Sequence, residues 1–226
     1  MSEWVELIAK DGVKLQAFVA RPAGEPKGSL VVVQEIFGVN KQIQHDTEQW
    51  AADGYLCIAP AMFDRIEPNV KLDYDEEGWA KAMSFVPKLD MDKATLDVDA
   101  AVQWLRGETS ANVGVVGYCF GGTMAWLSST RLKVEAAVGY YGGNIANFLN
   151  EEPQVPVMLH FGKEDAHIPA EMIEKIQTAH PEVPIFLYDN AGHAFNRSED
   201  HKAYVVEAAR LAKSRSLLFF DQHLVF

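Results

Sequence analysis

Short apolar runs alternate with longer amphipathic segments along most of the chain. Residues 30–33 form a continuous apolar run, typical of a strand that is buried on both faces of a parallel sheet. Residues 92–106 instead carry apolar side chains three and four positions apart, as an amphipathic helix does. These patterns predict strands at 4–8, 15–20, 29–34, 55–59, 113–116, 136–141, 157–161 and 185–188. They predict helices at 42–53, 74–85, 92–106, 123–129, 169–180 and 201–218.

The order of these elements indicates the class of fold. The pair Asp11-Gly12 lies between the first two strands and favours a tight hairpin. After the hairpin, strands alternate with helices, which predicts an α/β fold with a mostly parallel sheet of about eight strands and helices on both faces. A chain of 226 residues fits one domain, so residues 1–226 are predicted to form a single unit.

Composition and charge exclude some partners. The formal net charge is −12, which argues against nucleic acid because a phosphate backbone requires a basic face. No apolar run approaches the ~18 residues of a membrane span, and no secretory segment is apparent near the first residue. We therefore expect no membrane association and a cytoplasmic, reduced location. Of the two cysteines, Cys57 lies in an apolar run and is expected to be a small buried hydrophobe.

The second cysteine, Cys119, lies in the stretch GYCFGG at 117–122, between a predicted strand and a predicted helix. Glycines two positions before and after it allow a tight turn that displays the central side chain at a helix N-terminus. The positive end of the helix dipole favours a thiolate there. The pattern is that of the nucleophile elbow of an α/β-hydrolase, with Cys in place of Ser. The alternative is an inert, buried Cys at a tight turn.

A nucleophilic thiol needs a base, and the base needs a group that orients it. In an α/β-hydrolase sheet the acid and then the histidine follow the nucleophile, each just past the carboxyl end of a strand. Asp165 follows the strand at 157–161, and His193 follows the strand at 185–188. The other histidines are weaker candidates. His160 falls inside a strand, His167 lies on the loop of the acid, and the remaining four are expected at the surface: His45, His180, His201 and His223.

Cofactor chemistry has little support in the sequence. The chain contains no His/Cys spacing typical of a metal site and no phosphate-binding loop. We therefore expect neither a metal nor a cofactor.

Four stretches together resemble the dienelactone hydrolase family: QEIFGVN at 34–40, GYCFGG at 117–122, GYYG at 139–142 and AGHAF at 191–195. The resemblance covers nearly the whole chain in order. It implies an α/β-hydrolase fold and cofactor-free hydrolysis of enol lactones and other activated esters. It also implies a catalytic triad of Cys119, His193 and Asp165, the residues already chosen from their positions, acting through an acyl-enzyme intermediate.

The resemblance implies further roles that the residues alone do not. The glutamate of the first stretch, Glu35, would contact the resting thiol and help to control its ionisation. From its position alone it is a carboxylate at a strand end, for which a surface ion pair is the simpler interpretation. The backbone N–H groups of Ile36 and Phe120 would form the oxyanion hole.

Substrate recognition departs from the family pattern. Family members that process dienelactone bind its carboxylate with two arginines, and Arg197 matches one of them. The region of the other contains no arginine and is acidic, and Trp79 nearby suggests an apolar wall. Phe37 and Tyr141, from the shared stretches, complete the expected substrate-binding set. We therefore expect a small-molecule substrate that is a neutral aryl ester rather than an anionic lactone.

Other functions remain open at this point. A thioesterase or an acyltransferase could use the same three residues, and a non-catalytic α/β-hydrolase scaffold could bind a ligand instead. A redox function is weaker, because Cys119 has no resolving cysteine near it in the sequence. The expected assembly is a monomer or a homodimer.

Overall fold

The structure is a computed structural model and describes residues 1–225. Its strands are β1 (Ser2–Ile8), β2 (Lys14–Ala20), β3 (Gly28–Val33), β4 (Tyr55–Pro60), β5 (Val113–Tyr118), β6 (Ala136–Tyr140), β7 (Val157–Gly162) and β8 (Ile185–Tyr188). Its α-helices are α1 (Lys41–Ala52), α2 (Glu76–Phe85), α3 (Met91–Glu108), α4 (Phe120–Arg131), α5 (Ala170–Ala179) and α6 (Val206–Leu224). Each predicted strand and helix therefore has a counterpart.

All eight strands form one sheet in the order β1-β2-β4-β3-β5-β6-β7-β8. β1 pairs with β2 and β2 with β4 in antiparallel fashion, and every pairing from β4 to β8 is parallel. The prediction of a mostly parallel eight-stranded sheet is confirmed. The order reverses direction at β3, so β3 and β5 are neighbours, and the register pairs Val33 with Gly117.

Two glycines of β5 show that helices cover both faces of the sheet. A Cβ atom on Gly114 would contact Phe220 and Leu224 of α6, whereas a Cβ atom on Gly117 would collide with Gly121 of α4. Residues three apart on a strand point to opposite faces, so α6 and α4 lie on opposite sides of the sheet. α1 joins α6 on its face, where the ring centroids of Trp50 and Phe220 are 5.6 Å apart.

The last helix differs from the predicted range 201–218 at both ends. The backbone N–H of Val205 donates to the carbonyl of Phe195, and those of Ala203 and Tyr204 donate to Asp200. These bonds hold residues 200–205 in turns and delay the helix to Val206. The helix then continues to Leu224, because Leu224 is buried against the sheet. The spacing of apolar residues does not reveal the turns at 200–205 or the burial of Leu224. The predicted bounds of the last helix were therefore wrong.

The second helix begins two residues later than predicted. The side chain of Asp75 accepts a hydrogen bond from the backbone N–H of Gly78, 2.8 Å away, and so caps the helix that starts at Glu76. Tyr74 is thereby left outside the helix, where its hydroxyl group contacts a buried carboxylate of the site described next.

Candidate active site

The turn between β5 and α4 has the geometry of a nucleophile elbow. Cys119 has φ 56° and ψ −113°, an uncommon backbone conformation for a residue with a side chain. Its N–H donates to the carbonyl of Tyr140, and the N–H of Gly121 donates to that of Gln34, each at 3.0 Å. A Cβ on Gly117 would collide with the carbonyl oxygen of Gly121, so the turn requires glycine there. The side chain of Cys119 is half-buried at the start of α4.

Three side chains from three strand ends form a continuous hydrogen-bonded chain. The Sγ of Cys119 lies 3.2 Å from Nε2 of His193, and Nδ1 of His193 lies 2.7 Å from Oδ2 of Asp165. The other oxygen of Asp165 accepts the backbone N–H of His167 at 2.8 Å, which fixes the carboxylate. Asp165 is 4% exposed. The structure thus brings together the thiol, the histidine and the acid that the sequence placed on separate loops.

The surroundings of His193 favour its charged form. Burial by itself would lower the pKa of the imidazole, but hydrogen bonds to Asp165 and to Cys119 outweigh burial and raise the pKa to about 10. An imidazolium at hydrogen-bond distance stabilises a neighbouring thiolate. The pair can therefore supply a nucleophile and a proton donor at neutral pH.

The two residues expected to supply the N–H groups of an oxyanion hole contribute to the cavity that Cys119 lines. Ile36 and Phe120 line the same cavity as Cys119. Phe120 is the first residue of α4, where backbone N–H groups have no partner within the helix. Within residues 1–225, neither of the two N–H groups donates to a backbone carbonyl. Both are therefore available to a ligand atom.

Glu35 does not contact the thiol as the family resemblance implies. Its carboxylate is 1% exposed and accepts hydrogen bonds from Nε and Nη2 of Arg197, both at 3.1 Å. The hydroxyl group of Tyr74 donates to it at 3.0 Å. Cys119 has His193 as its partner instead. Glu35 forms an ion pair, as the simpler interpretation held, but the pair is buried rather than at the surface.

Arg197 lies at the edge of the cavity with its charge already balanced. Besides the two bonds to Glu35, its Nη1 donates to Asp200 at 3.2 Å. The guanidinium group lies 4.1 Å from the ring centroid of Tyr74 and 5.1 Å from that of Phe37, and the residue is 7% exposed. The expected role in binding a substrate carboxylate does not describe this environment fully, because Glu35 and Asp200 already pair with the guanidinium group.

A cavity of about 370 Å³ opens over the thiol and is large enough for a small ligand. Its outer wall is apolar and comes from α2 and the turn after it: Trp79 and Met83 are each 45% exposed and Val86 is 37% exposed. Phe37, which is buried, also lines the cavity. Two of the aromatic residues expected to bind substrate, Phe37 and Trp79, therefore lie where a substrate would contact them.

Tyr141 occupies a different place from the one expected. It is 1% exposed and is absent from the cavity lining among the described residues. Its ring centroid lies 5.1 Å from that of His193, and that of Phe195 is 5.4 Å away. Tyr141 therefore packs against the histidine and holds its ring, rather than contacting a ligand in the cavity.

Two residues of the site were missed in the sequence. Tyr74 was assigned to a helix, although the Asp75 cap could have placed it outside one. His167 was not chosen as the base, and neither of its ring nitrogens forms a hydrogen bond with the thiol. It nevertheless lines the cavity, with its ring centroid 5.3 Å from that of His193. Its position two residues after the predicted acid was the available signal.

Comparison with known proteins agrees with this geometry. The model of the dienelactone hydrolase family matches residues 15–224. The chain is 35% identical over 228 residues to a carboxymethylenebutenolidase from Pseudomonas putida, covering 97% of this chain and 96% of that protein. The chain belongs to the dienelactone hydrolase family. As a member of that family it is a hydrolase with the α/β-hydrolase fold, and the predicted family and fold are confirmed.

Solved structures place the whole fold in the same class. The chain superposes on the crystal structure of a Klebsiella pneumoniae protein with a TM-score of 0.84 and 26% identity, covering 99% of this chain and 100% of that one. The Pyrococcus furiosus esterase Pf2001 gives a TM-score of 0.74 at 17% identity, covering 99% and 93% of the two chains, and shows the fold alone. Within residues 1–225, no helix of this dienelactone hydrolase family member combines the length and apolar character needed to cross a bilayer.

Proposed function

We propose that the protein hydrolyses carboxylic esters or lactones through Cys119, His193 and Asp165. The observation that carries the proposal is the hydrogen-bonded chain from Asp165 through His193 to the thiol, 2.7 Å and 3.2 Å in its two steps, opening into a cavity. A thiol, a base and an orienting acid in this order are the elements of nucleophilic acyl transfer. Family membership and the name of the Pseudomonas putida relative support the same class of reaction.

In the first half of the reaction, the thiolate of Cys119 attacks the carbonyl carbon and forms a C–S bond. The carbonyl oxygen becomes an oxyanion, which accepts hydrogen bonds from the backbone N–H groups of Ile36 and Phe120. One such donor contributes roughly 3–4 kcal/mol to transition-state stabilisation. The C–O bond then breaks, and the imidazolium of His193 gives its proton to the leaving oxygen. The product of this half is a thioester on Cys119.

In the second half, neutral His193 removes a proton from water, and the resulting hydroxide attacks the thioester carbon. The C–S bond breaks, the acid is released, and the thiolate returns beside the imidazolium. Asp165 orients the ring and stabilises its charged form throughout. The raised pKa of His193, about 10, is consistent with this role because the ring holds a proton until a leaving group takes it.

The charges around the cavity favour a neutral substrate. Arg197 is the only lysine or arginine among the described residues that line it, and Glu35 and Asp200 already balance its charge. The charged His193, which also lines the cavity, is paired with Asp165 and the thiol. A carboxylate moved from water into this apolar space would therefore gain no unpaired cation, and such desolvation is costly. Trp79 and Phe37 instead offer aromatic surface. We infer that apolar or aryl esters fit the cavity better than anionic lactones.

Substrate preference is therefore a direct prediction. We expect kcat/KM for neutral p-nitrophenyl acetate to exceed that for the anionic dienelactone by at least about tenfold, the ratio that corresponds to ~1.4 kcal/mol. Both substrates should be measured in the same buffer at neutral pH. A preference for the dienelactone would contradict the inference and would mean that Arg197 releases Glu35 to bind the substrate carboxylate.

A thiol-alkylating reagent separates this outcome from failure of the hydrolase proposal itself. Alkylation should abolish turnover of both substrates, because Cys119 is half-buried beside the cavity while Cys57 is fully buried. Turnover that survives complete alkylation of Cys119 would overturn the proposed nucleophile. Faster cleavage of acyl thioesters than of any oxygen ester would favour a thioesterase. If the protein cleaves no small ester and no thioester, a non-catalytic scaffold is favoured.

A further inference from the structure

Three side chains meet at the edge of the sheet opposite the triad. Glu152 precedes β7, His180 follows α5, and Glu182 precedes β8, so all three lie at the amino ends of these strands. The Nδ1 of His180 is 3.4 Å from Oε1 of Glu182 and 3.7 Å from Oε2 of Glu152. The three ligand atoms lie within 4.8 Å of one another. The mechanism proposed above uses none of them.

His180 is a buried residue, although the sequence predicted it at the surface. It is 1% exposed, and its ring centroid lies 4.9 Å from that of Trp126. Its Nε2 lies 3.0 Å from the carbonyl oxygen of Leu149. A carbonyl only accepts hydrogen bonds, so Nε2 carries the hydrogen and Nδ1 of the neutral ring carries a lone pair. This Nδ1 is buried and is without a hydrogen-bond partner within residues 1–225.

A lone pair that faces two carboxylates needs a positive charge between them. Within the described chain, neither Glu152 nor Glu182 forms an ion pair with a lysine or arginine. Even a proton on Nδ1 would not make a well-formed hydrogen bond, because Oε2 of Glu152 at 3.7 Å is too far away and Oε1 of Glu182 at 3.4 Å does not meet the geometry of an acceptor. A metal ion is not restricted to the line of an N–H bond and can bind all three ligand atoms at once.

We propose that Glu152, His180 and Glu182 bind a divalent transition metal ion of the zinc type. Zinc–ligand bonds of about 2.1 Å in tetrahedral geometry separate neighbouring ligand atoms by roughly 3.4 Å, close to the two observed separations. An imidazole with two carboxylates suits Zn²⁺ better than Mg²⁺ or Ca²⁺, which prefer oxygen ligands alone. The hydrogen bond from Nε2 to Leu149 is the outer contact that commonly orients a metal-binding histidine.

The ion would link three segments that adjoin the sheet: the loop before β7, the end of α5 and the turn before β8. Both carboxylates are exposed, so the ion can exchange with solvent while the imidazole anchors it from inside. An ion that binds the folded chain but not the unfolded chain would raise the stability of the fold. Because the triad lies at the other edge of the sheet, the site stabilises this corner and does not take part in ester cleavage. The site could not be recognised in the sequence, because its ligands are separated by up to 30 positions.

Calorimetric titration of the chelator-treated, full-length protein with ZnCl₂ tests the proposal. Cys119 should first be alkylated, so that the active-site thiol does not bind the metal. We expect one Zn²⁺ per chain for the wild type. The double variant Glu152→Gln/Glu182→Gln should bind at least about a hundredfold more weakly, because it removes the charge of two direct ligands and the loss of a single outer contact already costs about 10–100-fold. Both glutamates are exposed, so the variant should fold. The matched control is Glu171→Gln/Glu174→Gln, two exposed carboxylates of α5.

Thermal unfolding supplies a second readout that does not depend on activity. Zn²⁺ should raise the Tm of the wild type and of the control variant, excess chelator should reverse the rise, and the Tm of the Glu152→Gln/Glu182→Gln variant should not respond. Equal Zn²⁺ affinity in the two double variants would overturn the proposal. So would an absence of stoichiometric Zn²⁺ binding by the wild type.

Discussion

Replacing Cys119 with alanine is expected to reduce kcat/KM for p-nitrophenyl acetate by a factor of about 10⁴ or more. Loss of a covalent nucleophile removes the acyl-enzyme route and leaves only the weak catalysis that the oxyanion donors and binding provide. The fold should survive, because the backbone hydrogen bonds of the elbow at Cys119 and Gly121 do not involve the thiol. Steady-state kinetics would measure the loss, and circular dichroism would confirm that the variant is folded.

The matched control is the other cysteine. Cys57 lies within β4 and is fully buried, and burial raises the pKa of its thiol and keeps it protonated. Cys57→Ala should lose roughly 1 kcal/mol of stability through a small cavity and keep its activity. The proposed chemistry is wrong if Cys119→Ala retains turnover near that of the wild type, or if Cys57→Ala is the variant that loses it.

Replacing Arg197 with methionine is expected to lower the free energy of unfolding by about 3–5 kcal/mol. The change leaves the carboxylate of Glu35 buried without its cation, and removing one partner of a buried pair is far more costly than removing both. Lost contact between the guanidinium group and the ring of Tyr74 adds to the effect. Urea unfolding of the variant and the wild type gives the difference, provided that the slope of the transition is unchanged.

A second variant separates the charge effect from simple loss of packing. In Arg197→Met/Glu35→Gln the buried charge is also removed, so the double variant should be more stable than Arg197→Met alone. Arg210→Met, which removes one member of an exposed pair with Glu207, should unfold like the wild type. If Arg197→Met is as stable as Arg210→Met, the buried pair does not have the energetic role assigned to it here.

Sequence patterns predicted the elements that depend on local chemistry. The apolar run at 30–33 lies in the buried strand β3, as predicted. The glycines around Cys119 lie in the tight turn that their spacing predicted. The proximity of the three side chains proposed as a triad could also be predicted, because a parallel sheet brings the carboxyl ends of its strands to one edge. Asp165 and His193 follow β7 and β8 at that edge and lie within hydrogen-bond distance of each other.

Long-range pairing of polar groups could not be predicted in the same way. Nothing local connects Glu35 with Arg197, which are 162 positions apart. Nor does any local pattern predict that the hydroxyl group of Tyr74 donates a hydrogen bond to Glu35. His180 is buried by contact with Trp126, far away in sequence. The resemblance to a family supplied the expected role of Glu35, but the observed partner of that carboxylate depends on side-chain packing in this chain.

Ester cleavage through a thioester on Cys119 leaves an intermediate that can be detected. The most direct test is mass spectrometry of the protein, mixed in excess with p-nitrophenyl acetate, quenched with acid during a single turnover and digested. We expect a transient acetyl group on the peptide that contains Cys119, removable by hydroxylamine and absent from Cys119→Ala. An acetyl group on another residue, or complete conversion of the ester while Cys119 stays unmodified at every time point, would contradict it.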